Sequence, residues 1–115
     1  MRIAVLGAGE MGATHARTYA GRLKKKVEFA TVFSRDPARA RRLAKEVGAL
    51  PTSNPADILA DDSIDAVDVC VPSAYHRKFA VEALNQGKHV LSETPMARTL
   101  VAAQRSFRTQ ESVRL

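Results

Sequence analysis

Tryptophan is absent from this chain, aromatic residues amount to 5%, and Cys70 is the single cysteine. A lone cysteine excludes an internal disulfide. Because Cys70 sits inside the apolar run 66–72, it reads as a small buried side chain in a reducing compartment rather than as a nucleophile or metal ligand, and no metal site is assigned. No apolar stretch approaches the ~20 residues of a membrane span, and the chain enters a strand pattern at once, without a leader-like apolar segment. A cytoplasmic location is therefore expected, with no membrane partner. The net charge of +6 invites a nucleic-acid reading, but no aromatic residue is interleaved with the basic ones as a stacking platform requires. Lys24-Lys25-Lys26 reads as a solvated loop, and nucleic acid is disfavoured as a partner. Internal repeats, low-complexity segments and linkers are also missing.

What is present is organised around the first dozen residues. The apolar run 3–6 feeds directly into Gly7-x-Gly9-x-x-Gly12, after which helical spacing begins. Strand, glycine turn and helix in that order form a dinucleotide-binding fingerprint. Gly7 allows the tight turn out of the strand, Gly9 lets backbone approach a pyrophosphate, and Gly12 lets the helix lie close on the sheet. The N–H groups and positive dipole end of that helix then suit phosphate.

Ala13, Ala16, Tyr19, Ala20 and Leu23 recur at helical spacing, which predicts a helix over 11–23 ended by the lysine loop. His15, one turn after Gly12, reads as a packed or hydrogen-bonded histidine rather than a catalytic one. A β-branched and aromatic second strand follows over 27–33. Its end is the specificity position: an acid there accepts hydrogen bonds from the adenosine ribose and favours NAD, whereas basic residues accommodate the 2′-phosphate of NADP. Here Ser34 stands where the acid would be, with Arg35 and Arg39 as charged donors, so NADP is expected and NAD is the less favoured cofactor. Asp36 is explained as a helix N-cap because Pro37 follows it, and that helix ends at Gly48. A short strand at Leu50–Thr52, a brief helix over 56–60 capped by Ser53 or Asn54, and a turn at Asp61-Asp62-Ser63 come next. A nearly continuous apolar fourth strand covers 66–72. Ser73-Ala74-Tyr75-His76 lies at its carboxyl end, the ligand side of such sheets. Helix 75–85, strand 89–92, the turn Glu93-Thr94-Pro95 and a last helix over 96–110 complete the pattern.

The fold class is therefore α/β: a Rossmann-type doubly wound parallel sheet of about five strands. Residues 1–115 are large enough for one such domain and one core. Three stretches carry a resemblance to a known family: Gly7-Ala-Gly9-Glu-Met11-Gly12-Ala-Thr-His15-Ala16, Asp65-Ala66-Val67 with Val71-Pro72-Ser73-Ala-Tyr-His76, and Gly87-Lys88-His89-Val90-Leu91-Ser92-Glu93-Thr94-Pro95. Over about residues 2–100 the chain resembles the N-terminal half of the Gfo/Idh/MocA oxidoreductases, the family of glucose-fructose oxidoreductase and inositol dehydrogenase. The resemblance implies hydride transfer between NAD(P) and a sugar, polyol or related alcohol.

The residues expected to hold the cofactor are Gly7, Gly9, Glu10, Met11 and Gly12 at the first turn, with Ser34, Arg35 and Arg39 at the second. Val71, Pro72, Ser73 and His76 after the fourth strand, and Glu93 and Thr94 after the fifth, complete the set. Two departures from the family bear on activity. Family members carry lysine where Thr94 stands, and a hydroxyl cannot replace an ammonium as an acid–base group near neutral pH. Lys88, on the far side of a strand, is a poor substitute, and Ser73 stands where the family usually has asparagine. The family's C-terminal substrate domain is also absent, so no catalytic residue is assigned and turnover by this chain alone is not expected. The alternative is a catalytically silent dinucleotide-sensing or regulatory module, a role some relatives of the family fill. The fifth strand is expected to be an uncovered edge through which copies associate.

Overall fold

In a computed structural model of the chain, residues 1–91 and 113–114 are described. The expected helix over 96–110, and Glu93 and Thr94 with it, lie outside them. Strands β1 (Arg2–Leu6), β2 (Glu28–Phe33), β3 (Leu50–Thr52), β4 (Ala66–Val69), β5 (His89–Leu91) and β6 (Val113–Arg114) alternate with helices through β5. The helices are α1 (Glu10–Ala20), α2 (Pro37–Val47), α3 (Ala56–Leu59) and α4 (Ser73–Asn85). All strand pairs are parallel, in the order β3-β2-β1-β4-β5-β6. The order reverses between β1 and β4, which opens a crevice beyond their carboxyl ends.

Side-chain alternation along the strands builds two cores. Ala4 and Leu6 of β1 and Val67 and Val69 of β4 face α3 and α4, whose Ile58, Ala80 and Leu84 close that side. Val5 and Val32 face the other way, against Ala16 of α1 and Leu43 of α2. Each fully buried Val or Leu contributes roughly 1.5–3 kcal/mol, so both faces hold the sheet and the glycine turn between them. Helices on both faces make this a doubly wound α/β domain.

Three boundaries differ from expectation by two residues or more. Helix α1 stops at Ala20, three residues before the predicted end at 23, because Gly21 leaves helical geometry at φ −104° and ψ −90° and the segment that follows is a run of turns. Helix α4 starts at Ser73 rather than 75, directly after Pro72. The β4 ladder ends at Val69, before Pro72 is reached. The cap left open between Ser53 and Asn54 falls to Asn54, whose Oδ1 accepts the Ala56 N–H at 3.0 Å.

The expectation of an uncovered fifth strand is corrected. Val113 and Arg114 pair with Val90 and Leu91, so β6 is the sheet's edge on that side and β5 is an inner strand. Association through an exposed β5 accordingly loses its basis. A two-residue strand carries no periodicity, which is why it is not legible in sequence. Among the described residues no helix is long and apolar enough to cross a membrane.

Candidate functional site

A cleft of about 630 Å³ lies at the carboxyl ends of β1, β2 and β4, within the range of small-molecule sites. The glycine turn forms its floor. Gly7 adopts φ +121°, a conformation that side chains disfavour, and a Cβ there would meet the Cys70 carbonyl oxygen at 2.5 Å. Its N–H donates to the Phe33 carbonyl at 2.8 Å and ties the turn to β2. A Cβ on Gly12 would sit 2.0 Å from the Gly7 oxygen, so only glycine lets α1 rest on the turn. Gly9 is different. It is exposed, lines the cleft and has open space where a Cβ would go. It is also the N-cap of α1 and provides no side-chain hydrogen bond, so the first N–H donors of that helix are left for a ligand. Glu10 and Met11 line the cleft beside it, while Gly12 is buried beneath.

The second wall is the end of β2. Ser34 is buried there, its Oγ accepting the Asp36 N–H at 3.1 Å. Asp36 is the expected cap: its Oδ1 accepts from Ala38 N–H at 3.0 Å and Arg39 N–H at 3.5 Å, with Pro37 opening α2. Gly48, in the left-handed region at φ +75°, ends that helix as expected. Arg35 and Arg39 are both exposed on the cleft wall. Arg35 reaches across it: Nη1 donates to the Tyr75 hydroxyl at 2.8 Å, and the guanidinium carbon stands 5.0 Å from the Tyr75 ring centroid.

The third wall is the start of α4. Val71 and Pro72 line it, and Ser73 opens the helix. His76 is only 3% exposed, and its Nδ1 is buried without a hydrogen-bond partner. Burial lowers its pKa below the ordinary histidine value, with the Asp68 carboxylate pulling the other way. Tyr75, Phe79 and Phe33 also form this side of the cleft, and sequence reasoning did not assign them to the site. Tyr75 stacks on Phe79 at 6.3 Å and 26°, and Phe79 meets Phe33 edge-on at 5.9 Å. The i, i+4 spacing of Tyr75 and Phe79, one residue past Ala74 in the cleft turn, was the available signal.

Below the turn lies a polar cluster that the apolar reading of the fourth strand missed. Asp68 is 1% exposed in the middle of the sheet. Its carboxylate accepts from the Tyr19 hydroxyl at 2.5 Å and from the Cys70 thiol at 3.3 Å, and lies 2.7 Å from His15 Nδ1. His15 is thus hydrogen-bonded, as expected. His15, Asp68 and Cys70 bring their ligand atoms within 4.8 Å of one another, and His15 and Cys70 both bond to the buried Asp68 carboxylate, which the network satisfies. Lys88 is buried at the opposite end of the sheet, donating from Nζ to the Asp61 and Ile64 carbonyls at 2.6 and 2.8 Å, far from any role in the cleft.

An uncapped glycine-led helix start, at the switch point of a doubly wound parallel sheet, defines an NAD(P)-binding Rossmann domain. The family model for the Gfo/Idh/MocA group, described as an oxidoreductase family with an NAD-binding Rossmann fold, matches residues 1–114, and the chain belongs to that family. It is 38% identical over 106 residues to inositol 2-dehydrogenase 2 of Saccharopolyspora erythraea, covering 91% of this chain and 31% of the relative. Among solved structures it is similar to the WlbA dehydrogenase of Chromobacterium violaceum in complex with NADH and UDP-GlcNAcA. The TM-score there is 0.81 at 25% identity, over 94% of this chain and 33% of that one. A 3-ketoreductase of Actinomadura kijaniata in complex with NADP and TDP-benzene matches with TM-score 0.76 at 30% identity, over 92% and 34%. The chain spans about a third of the length of these relatives.

Proposed function

We propose that the cleft holds NADP(H) in preference to NAD(H), and that the domain serves hydride transfer between the nicotinamide and a sugar- or polyol-like alcohol. The observation that carries the cofactor choice is the end of β2. No carboxylate stands at position 34, Arg35 and Arg39 present charged donors on the cleft wall, and the acid that follows, Asp36, is engaged by the N–H groups of α2. A carboxylate free at this point would accept from ribose hydroxyls and repel a 2′-phosphate; a guanidinium does the reverse.

The residues fit the group. Gly9, Glu10 and Met11 would hold the pyrophosphate against the start of α1, and Ser34, Arg35 and Arg39 the phosphorylated ribose. Val71, Pro72 and His76 would line the path between them and the nicotinamide, with Ser73, Glu93 and Thr94 completing the set. The bound dinucleotide would take up the hydride from the alcohol carbon, or return it to the corresponding ketone. This reading rests on the cleft and on family membership; relatives solved with NADH and with NADP both lie close in fold.

Thr94 favours a second reading, that of a dinucleotide-sensing module without turnover, because a hydroxyl neither exchanges protons near neutral pH nor stabilises an alkoxide as an ammonium does. Titration with NADPH and with NADH at one salt concentration, followed by nicotinamide fluorescence, tests the cofactor assignment, and the absence of tryptophan keeps that signal clean. NADPH is expected to bind more tightly; tighter NADH would overturn the assignment. Reduction of NADP on inositols or sugars would then exclude the silent module.

A further inference from the structure

Two side chains of α1 and two at the end of β4 converge beneath the glycine turn. His15 and Tyr19, one helical turn apart, both reach the Asp68 carboxylate, and Cys70, two residues on from Asp68 and so on the same side of the sheet, turns its sulfur to the same point. Along the sequence Cys70 has no neighbour that suggests ligation; the fold brings His15 to it from 55 residues away. We infer that His15, Asp68 and Cys70 form a binding site for a thiophilic divalent cation, with Zn²⁺ the ion that fits, which joins α1 to β4 below Gly7 and Gly12. Such a site works whether or not a dinucleotide fills the cleft above it.

The donor atoms already stand close to coordination spacing. Cys70 Sγ is 3.5 Å from His15 Nδ1 and 3.3 Å from Asp68 Oδ1, and His15 Nδ1 is 2.7 Å from Asp68 Oδ2. Zinc bonds of about 2.0–2.1 Å to nitrogen, 2.0–2.2 Å to carboxylate oxygen and 2.3 Å to sulfur, set at tetrahedral angles, hold such donors about 3.3–3.6 Å apart. Both sulfur spacings fall in that range, and the nitrogen–oxygen spacing reaches it by opening about 0.6 Å. The ion takes the place of the hydrogens that the thiol and, in its donor form, the imidazole direct at the carboxylate. A thiolate and a carboxylate then offset both of its charges, which matters in the sheet interior, where Asp68 is 1% exposed. One sulfur, one nitrogen and one oxygen suit zinc and not Mg²⁺ or Ca²⁺, which take oxygen ligands, and three protein ligands leave the fourth tetrahedral position to water. The Tyr19 hydroxyl, 2.5 Å from Oδ2, stays behind the carboxylate and orients it. Entry is open, because Cys70 lines the cleft and the His15 side chain is 15% exposed.

Because Cys70 is the single cysteine, any sulfur-to-metal signal reports this residue alone. The reduced, metal-free chain titrated with Co²⁺ is expected to gain a sulfur-to-cobalt charge-transfer band that saturates at one equivalent, is abolished by Zn²⁺ and is untouched by excess Mg²⁺. Bound Zn²⁺ should also slow alkylation of Cys70 by iodoacetamide and raise the thermal midpoint. His15→Gln is expected to weaken Zn²⁺ by about a hundredfold or more, and Tyr19→Phe, which keeps all three ligands, by about tenfold. Metal-free circular dichroism and melts establish that each variant is folded. Absence of the cobalt band, or an undiminished Zn²⁺ affinity in His15→Gln, would overturn the site, the second by showing a thiolate that binds metal without the histidine. Should His15→Gln fail to fold, the parent decides alone: an alkylation rate that Zn²⁺ leaves unchanged would overturn the site as well.

Discussion

The two helices that follow β1 and β2 begin at the same edge of the same sheet and open onto the same cleft, yet they begin in opposite ways. Helix α2 is closed: Asp36 accepts the N–H groups of Ala38 and Arg39, and Pro37 fills the first helical position, where a donor would be unmatched. Helix α1 is open, led by Gly9, with no side-chain cap. A glycine start without a capping side chain forgoes only about a few tenths of a kcal/mol of helix stability. Here the forgone cap coincides with open space above Gly9 and with buried glycines at 7 and 12 that have no room for a side chain. Capping and ligand binding compete for the same donors, so a cap missing on a cleft wall marks a binding position. A cap present, as at Asp36, marks an acid committed to structure, and that commitment leaves Arg35 to set the charge on that wall of the cleft.

Exchanging the two treatments gives the largest expected effect. Gly9→Asp puts a capping carboxylate on α1 at φ −74°, a conformation any residue adopts, with nothing within 4 Å of the new Cβ. The variant should fold with stability equal to or slightly above the parent in urea. Its dinucleotide affinity should fall by about a hundredfold, because the helix donors are taken and a negative charge faces the phosphates. Undiminished NADPH binding would show that the start of α1 is not the phosphate seat.

Next in size is the second turn. Arg35→Asp should weaken NADPH by on the order of thirtyfold, the loss of a charge-assisted contact, and NADH only a few-fold. Equal weakening of both would remove the 2′-phosphate from Arg35. Its neighbour provides the contrast. Asp36→Ala should cost about 1 kcal/mol in urea unfolding and leave the NADPH-to-NADH ratio unchanged. A ratio moved toward NADPH would mean that Asp36 reads the ribose after all.

These contrasts were legible in the sequence to unequal degrees. Gly7-x-Gly9-x-x-Gly12, Asp36-Pro37 and Gly48 are local signals, each naming a backbone conformation or a cap within a few residues, and all take the form expected. The positions of β1 and β4 follow from apolar runs that must be covered on both faces. What escaped depends on partners distant along the chain. Asp68 reads as an interruption in an apolar strand until Tyr19 and His15, 49 and 53 residues away, are brought over it. Tyr75 reads as one more residue of a turn until Arg35, 40 residues earlier, is laid on its ring. The pairing of β6 with β5 spans more than 20 residues and involves only two.

The smallest effect concerns the third wall, where His76 sits buried in the first turn of α4 with Nδ1 unpartnered. Burial holds its folded pKa below the ordinary 6.5, while in the unfolded chain it titrates near that value. Between the two values the unfolded chain takes up a proton that the folded chain refuses. Its contribution to stability is therefore whole above pH 6.5 and is lost as the pH falls through 6.5 toward the folded value. Urea midpoints measured downward from pH 7 should fall in the parent and fall less in His76→Leu, and parallel slopes would show that His76 is not the group responsible. Saturating NADPH sharpens the test. Phosphates in the cleft would favour the imidazolium and raise the folded pKa, so the acid loss should shrink when the dinucleotide is bound if His76 faces it, and should persist unchanged if the ring is only part of the core.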